Sequence, residues 1–469
     1  MRVLLAAIVL VTASGALAGV RTGGPGPDRI DTVNGVGDTV RCGGGRDVVV
    51  ADLKDVIAPD CEVVTRRIAL DTTTGDGAQH RTIVEPDAAA HGSTIVSVYQ
   101  EGRYADGGAA AIGWATSLDA GATWAHGVLA DAGTDRISDP VVAWDDAHGR
   151  WLATALRVGD QTTLPVFASA DGTSWTLQAV ARSETVPPGE EVGLDKDWLS
   201  CDNRPASPQR GTCYLAYSNI VTGVLEVQAS QDGGTTWSAA VAASAPGRGD
   251  LIGAIPLVLP DGTVVVVYAT SDLSSLEAVT SSDGGQTFSA PVTVATVQSA
   301  APLLRAPPLP SAAETATGIV VVWPDCSAHP DCVANDIRLT SSTDGKTWAA
   351  PATVAHGGDY VVPAVGGSGD ALAVVAYVRR NTSSSLLGVR LFRSLDGGAT
   401  WGPAIRLDAR PMQISWLAQS LSEGVGGFLG DYDAVAFVGN RPVPVFAAAE
   451  PLAGDGSERQ DLYATTRLP

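Results

Sequence analysis

Lysine is almost missing from this 469-residue chain: only Lys54, Lys196 and Lys346 occur among its 30 basic residues. Against 51 acidic residues this leaves a formal charge of −21, and no Lys/Arg cluster interrupts it. Such a surface repels a phosphate backbone and an anionic bilayer, which argues against nucleic-acid binding and peripheral membrane attachment. Past the first residues no apolar run approaches the ~20 residues that a membrane-spanning helix needs. Helix-favouring composition is lacking too: charged residues make up 17% of the chain, while glycine numbers 53 and proline 28. That excludes coiled coils and long helical bundles. No Gly-x-x-x-x-Gly-Lys-Ser/Thr, Gly-x-Ser-x-Gly, His-Glu-x-x-His or Cys-x-x-Cys occurs, so the usual phosphate loop, serine-hydrolase elbow, zinc-protease helix and Cys-pair zinc site are all missing. What remains is a turn-dense chain long enough for one large all-β unit or two domains.

Residues 1–18 combine Arg2, an apolar run from Val3 to Val11 and the small-residue site Ala16-Leu17-Ala18. This reads as a secretory signal cut after Ala18, because the run is too short for a membrane anchor. The expectation is a secreted, extracellular protein with no membrane span. Six cysteines fall into sequence-local pairs, Cys42 with Cys61, Cys201 with Cys213 and Cys326 with Cys332. In an exported chain an even count argues for disulfides, and proximity favours these partners.

Residues 23–31, Gly-Gly-Pro-Gly-Pro-Asp-Arg-Ile-Asp, fit a nonapeptide G-G-x-G-x-D-x-U-x, and looser copies follow around Asp38 and Asp47. Glycines permit tight turns, aspartates offer oxygen to a hard cation, and the apolar residue faces a narrow core. The stretch resembles the repeat-in-toxin β-roll. That resemblance implies structural calcium at Asp28, Asp38 and Asp47 within a segment 19–62; a metal-free roll or linker stapled by Cys42 and Cys61 is the alternative.

From residue 63 a second repeat sets the architecture. Ser117-Leu-Asp-Ala-Gly-Ala-Thr-Trp124 recurs at Ser230, Ser281 and Ser394, with shortened copies at Ser169 and Ser342, and the closing aromatics stand 51, 62, 51, 60 and 53 residues apart. Each copy reads as a hairpin turn in which aspartate accepts backbone N–H bonds, glycine takes a left-handed conformation and the aromatic wedges between sheets. These motifs resemble the Asp box (BNR repeat) of bacterial sialidase-like propellers, where they lie at the rim, away from the pocket. The fold class expected for residues 63–469 is therefore all-β: a seven-bladed β-propeller, with six blades of sialidase type as the runner-up, preceded by the small β-roll segment. Val63-to-Leu70 would supply the last outer strand and close the ring.

In a propeller the starts of the innermost strands converge on a central channel. Those positions carry Glu85, Arg136 with Asp139, Asp195 with Lys196, Arg305, Asp359 with Tyr360, and Asp431 with Tyr432. A polar funnel follows, with internal salt bridges as its plain explanation. The run from Glu85 through Glu101-Gly-Arg103-Tyr-Ala-Asp106 to the first box resembles a sialidase first blade. The resemblance implies Asp106 as general acid/base, Arg103 as a ligand of a substrate carboxylate, and Tyr432 as nucleophile; if seven blades close, Glu85 neighbours Tyr432 across the seam and is the candidate for its base. Arg136, Asp139, Asp195, Lys196 and Arg305 would bind substrate. The family's first-blade arginine is missing at Val84, and neither a glutamate nor an arginine stands in Gly253-Ala-Ile-Pro-Leu-Val-Leu. Two functions are thus expected: a secreted glycoside hydrolase of exo-α-sialidase type acting on an extracellular glycan, or a non-catalytic propeller binding glycan or protein. Neither needs an organic cofactor, and a monomer is expected.

Overall fold

A computed structural model describes residues 18–73, 77–131, 135–190, 192–249, 251–300, 303–421, 426–454 and 456–469. The expected export signal lies outside the described residues except for Ala18. Among the described residues the chain is strand throughout, with two short 3₁₀ turns, Pro330–Cys332 and Ile414–Trp416, and no α-helix.

Six short strands open the chain and alternate between two parallel sheets. Val20–Thr22, Thr39–Arg41 and Val56–Ile57 form one; Arg29–Asp31, Val48–Asp52 and Val63–Ala69 form the other. Small apolar residues fill the narrow space between them, and the Cys42–Cys61 disulfide joins that core. The other two disulfides, Cys201–Cys213 and Cys326–Cys332, also join the sequence-local partners.

Seven antiparallel four-stranded sheets follow among the described residues. Their first strands are Gln79–His91, Arg136–Asp145, Leu194–Cys201, Ile252–Val258, Ser311–Glu314, Asp359–Ser368 and Ala434–Val438. Each packs on the next and the last packs on the first, which closes a ring around a common axis. Second strands such as Val264–Ala269 are buried on both faces, so they read as continuous valine runs rather than alternating patterns. The seventh sheet takes its outer strand from the roll: Val63–Ala69 pairs antiparallel with Gln460–Arg467. One strand thus belongs to both the roll and the ring, and it leaves no long open edge at the seam.

The six Ser-x-Asp turns connect third to fourth strands. In the first, Thr123 N–H donates to Asp119 Oδ1 (2.8 Å), Gly121 N–H to Ser117 Oγ (2.7 Å) and Trp124 Nε1–H to Gly121 O (3.1 Å). These aspartates are therefore spent on the turn. The fifth sheet begins its ladder late. Prolines 307, 308 and 310 have no N–H to give a ladder, and pairing starts at Ser311. A short hairpin, Ala418–Ser420 with Gly426–Phe428, was not anticipated and carries Phe428 to the axis.

Candidate functional site

One backbone device aims the axial side chains. Ladder register shifts after Val84, Ser138, Asp195, Ile252 and Val361, and in each case the strand turns through a positive φ: Glu85 51°, Asp139 49°, Lys196 51°, Gly253 68° and Val362 49°. Three of these residues precede proline (Pro86, Pro140, Pro363), which has no N–H to lose where the ladder breaks. The left-handed region costs a non-glycine residue about 1–3 kcal/mol, and such strain persists where function or the surrounding packing demands it. Here it rotates Glu85, Asp139 and Lys196, from three consecutive sheets, toward one point.

That point is the Lys196 ammonium. Nζ lies 3.1 Å from Glu85 Oε1, 3.3 Å from Asp139 Oδ1 and 2.7 Å from Asp431 Oδ2. Arg305 Nη2 donates to the same Asp431 oxygen at 2.9 Å. Gln100 Nε2 donates to Glu85 Oε2 and to Ser138 Oγ (3.0 Å). Asp431 enters the network because Gly430 precedes it. At φ 136°, a Cβ on residue 430 would lie 2.7 Å from Glu85 N, so only glycine lets the two segments meet across the seam. Arg103 and Arg305 stand 4.9 and 4.7 Å from the Phe428 ring centroid, a cation–π platform within the same chamber.

Burial and pairing pull the ionisable groups apart. Burial raises the carboxyls of Glu85, Asp139 and Asp195 above their ordinary range, and Lys196 offsets this only in part. Asp431 goes the other way: burial opposes its ionisation, but Lys196 and Arg305 outweigh it and hold the group at about 2. Burial disfavours the Lys196 charge as well, yet Asp139, Asp431 and Glu85 together push its pKa well up, so it stays an ammonium. Opposed carboxyl shifts in one polar cleft are the pattern of acid–base sites.

Above the network opens a cavity of about 1060 Å³, lined by Glu85, Arg103, Asp106, Arg136, Asp139, Asp195, Lys196 and Arg305 among others. All six residues expected to bind substrate therefore face it, together with two of the three expected to be catalytic. Asp106 sits at its rim, largely exposed, ion-paired to Arg136 at 2.8 Å. The hydrogen bond from Arg136 keeps its carboxyl below the usual range. Tyr432 does not line the cavity. Its hydroxyl donates to Pro140 O (3.2 Å), its ring meets Trp198 edge-on at 5.2 Å, and burial, then Glu85, pushes its pKa well above 10. Glu85 lies across the seam from it as expected, but its own bonds go to Lys196, Gln100 and the Asp431 N–H. Asp359 does not share the funnel either: it pairs with Arg379, both side chains fully buried. Sequence reasoning missed Phe428 and Gln100 as parts of the site; Gln100 lies within the first-blade run but carried no expected role, and Phe428 lies in no recognisable motif.

In the roll, the expected calcium residues Asp28, Asp38 and Asp47 hold amides. Asp28 N–H donates to Asp47 Oδ1 (2.7 Å), Asp47 N–H to Glu62 Oε2 (2.8 Å), Asp38 N–H to Asp55 Oδ1 (2.7 Å) and Gly19 N–H to Asp38 Oδ1 (2.6 Å). Asp38, Asp47, Asp55 and Glu62 thus each accept an amide from the preceding coil, and Asp28 Oδ2 accepts the Gly24 N–H of its own turn at 2.5 Å. Asp28 and Asp47 precede strands of one sheet and Asp38 a strand of the other, and among the described residues the three form no group within reach of one ion. Of their oxygens, Asp47 Oδ2 is buried without a hydrogen-bond partner. The three carboxylates do not converge on one ion, so the expected calcium would have to be held turn by turn.

The chain matches no known protein-family model and no curated protein. Solved structures do resemble it. They include a protein of unknown function from Dyadobacter fermentans (15% identity, TM-score 0.48, covering 70% of this chain and 98% of that one). The intramolecular trans-sialidase of Ruminococcus gnavus is another (13%, 0.45, 64% and 91%). A third is the GH93 α-L-arabinofuranosidase of Fusarium graminearum (12%, 0.44, 86% and 97%). At these scores the likenesses carry no chemistry, which has to come from the side chains themselves.

Proposed function

We propose that the axial chamber hydrolyses a glycosidic bond in an acidic glycan. The observation that carries this reading is the convergence of Glu85, Asp139 and Lys196, each in a left-handed backbone conformation, beneath a cavity lined by carboxyls with opposed pKa shifts. Asp195, half-buried at the cavity wall and inclined to hold its proton, is the acid that protonates the leaving oxygen. Asp106, kept ionised by Arg136, is the base that takes a proton from the attacking water. Arg103 and Arg305 hold the acidic group of the sugar, and a terminal sugar of sialic-acid type is the substrate class we favour.

A tyrosine-nucleophile route of sialidase type would need the Tyr432 hydroxyl to leave Pro140 and lose a proton that its burial retains. The carboxylate route needs neither change. Export belongs to the same reading and is supported by the three disulfides. The saturation of Lys196 by three carboxylates favours a second reading, a binding-only chamber in which that network is purely structural.

Release of fluorophore from acidic and neutral aryl glycosides separates the readings. Hydrolysis by the wild type, a loss of at least about 100-fold in Asp195→Asn and little change in Tyr432→Phe support the carboxylate route. A loss confined to Tyr432→Phe assigns the chemistry to the tyrosine. No turnover on any glycoside, with retained glycan binding, leaves the binding-only function.

A further inference from the structure

The first strands of the second and third sheets begin at the chamber and end, at their far side, in Asp145 and Cys201. Cys213 stands directly opposite Cys201 on the next strand and is bonded to it. Asp145 is fully buried there, and one of its carboxylate oxygens and both sulfurs lie within 4.8 Å of one another. His148 Nδ1 lies 2.7 Å from Asp145 Oδ2, and the His148 N–H donates to Oδ1 at 3.2 Å. A disulfide has no need of a carboxylate beside it, and the buried Asp145 draws its compensation from His148, three residues on.

We propose that, once the Cys201–Cys213 disulfide is reduced, this cluster is a zinc site. Two thiolates and a carboxylate are a borderline-soft donor set that suits Zn²⁺, with the fourth position left to water. Tetrahedral zinc spaces its donors roughly 3.5–3.8 Å apart, so the two sulfurs, 2.04 Å apart in the disulfide, separate on reduction while the carboxylate oxygen stays within reach of both. His148 holds the carboxylate from behind and orients it, as outer partners of zinc ligands do. The chemistry balances with a dithiol as reductant. It gives two electrons and two protons to the disulfide, which becomes two thiols, and leaves as its own disulfide. Zn²⁺ then displaces the two thiol protons. Disulfide and zinc are mutually exclusive occupants, and the reducing power of the surroundings selects between them.

The test uses the full chain, with and without phosphine reduction under argon, incubated with Zn²⁺, desalted and assayed for bound metal. The proposal expects one zinc per chain after reduction and none before, loss of that zinc in the Cys201→Ser/Cys213→Ser double variant, and at least about tenfold weaker binding in Asp145→Asn. The other two disulfides are reduced as well, so undiminished zinc in the double variant overturns the proposal. No zinc in the reduced wild type does the same. Should the double variant fail to fold, cobalt loading of the reduced wild type decides. Thiolate-to-cobalt charge-transfer absorption supports the site, and stoichiometric cobalt without that band refutes it.

Discussion

Lys196→Met removes the ammonium at the axis and keeps the length of the side chain. In the wild type that ammonium faces Glu85, Asp139 and Asp431 at 3.1, 3.3 and 2.7 Å. Asp431 retains Arg305 at 2.9 Å, whereas Lys196 is the ion-pair partner of Asp139. Deleting one member of a buried ion pair costs about 3–5 kcal/mol, because the partner is left charged and unpaired. The penalty depends on pH with a definite sign. Burial already raises Glu85 and Asp139 above their ordinary range, and losing the ammonium raises them further. In the unfolded chain both titrate near 4. A carboxyl whose folded pKa exceeds its unfolded one destabilises the fold most at pH above the folded value. As pH falls toward the unfolded value the folded protein takes up the proton, and the penalty shrinks by about 1.4 kcal/mol per pH unit per group. Lys196 itself stays charged throughout this range, since its own pKa is raised. Denaturant unfolding of wild type and variant from pH 4 to 8, followed by tryptophan fluorescence, should therefore show a gap of about 3–5 kcal/mol at pH 8 that closes toward pH 4. A gap below about 1 kcal/mol at pH 8, or one independent of pH, would refute a buried, mutually dependent charge network.

Other consequences are separable. Arg379→Met strands the fully buried Asp359 and should cost about 3–5 kcal/mol, much of it recovered when Asp359→Asn is added; equal instability of single and double variants in urea would contradict the pairing. Ala120→Gly should stabilise by up to about 1 kcal/mol, because Ala120 sits at φ 60° where three sister turns place Gly233, Gly284 and Gly397; a lower Tm would deny the strain. A calcium chelator should leave the melting temperature unchanged, since amides occupy the roll aspartates, whereas a fall on chelation restores a metal there. The carboxylate route also predicts a broad pH profile, with kcat/KM lost at low pH as Asp106 protonates and lost above the ordinary carboxylate range as Asp195 ionises. An activity that rises only at alkaline pH would point to Tyr432.

The repeated Ser-x-Asp turns and apolar second strands made the ring legible, because turn chemistry and burial act locally along the chain. So did the shared strand Val63–Ala69, which follows from counting strands against the edge they must cover. The axial residues were legible as positions, and six of those expected to bind substrate do line one cavity. Their aim was not. Glu85, Asp139 and Lys196 reach the axis through left-handed bulges that no glycine announces, and the following prolines at 86 and 140 were the sole trace. Phe428 could not be read because distant segments hold its hairpin, Arg305 N–H donating to Gly427 O and Gln460 Nε2 to Phe428 O, and Tyr432 could be placed near the axis without revealing that Pro140 takes its hydroxyl. The aspartates of the roll follow a cation-binding pattern, yet the same oxygens serve equally well as acceptors for stacked amides.

Crystallography of Asp195→Asn soaked with an acidic oligosaccharide at tens of millimolar tests glycan handling most directly. The expected density is a sugar over Lys196, its acidic group against Arg103 and Arg305 and its glycosidic oxygen within hydrogen-bond reach of residue 195. A chamber holding only water at that concentration, or sugar bound solely outside it, would contradict the account.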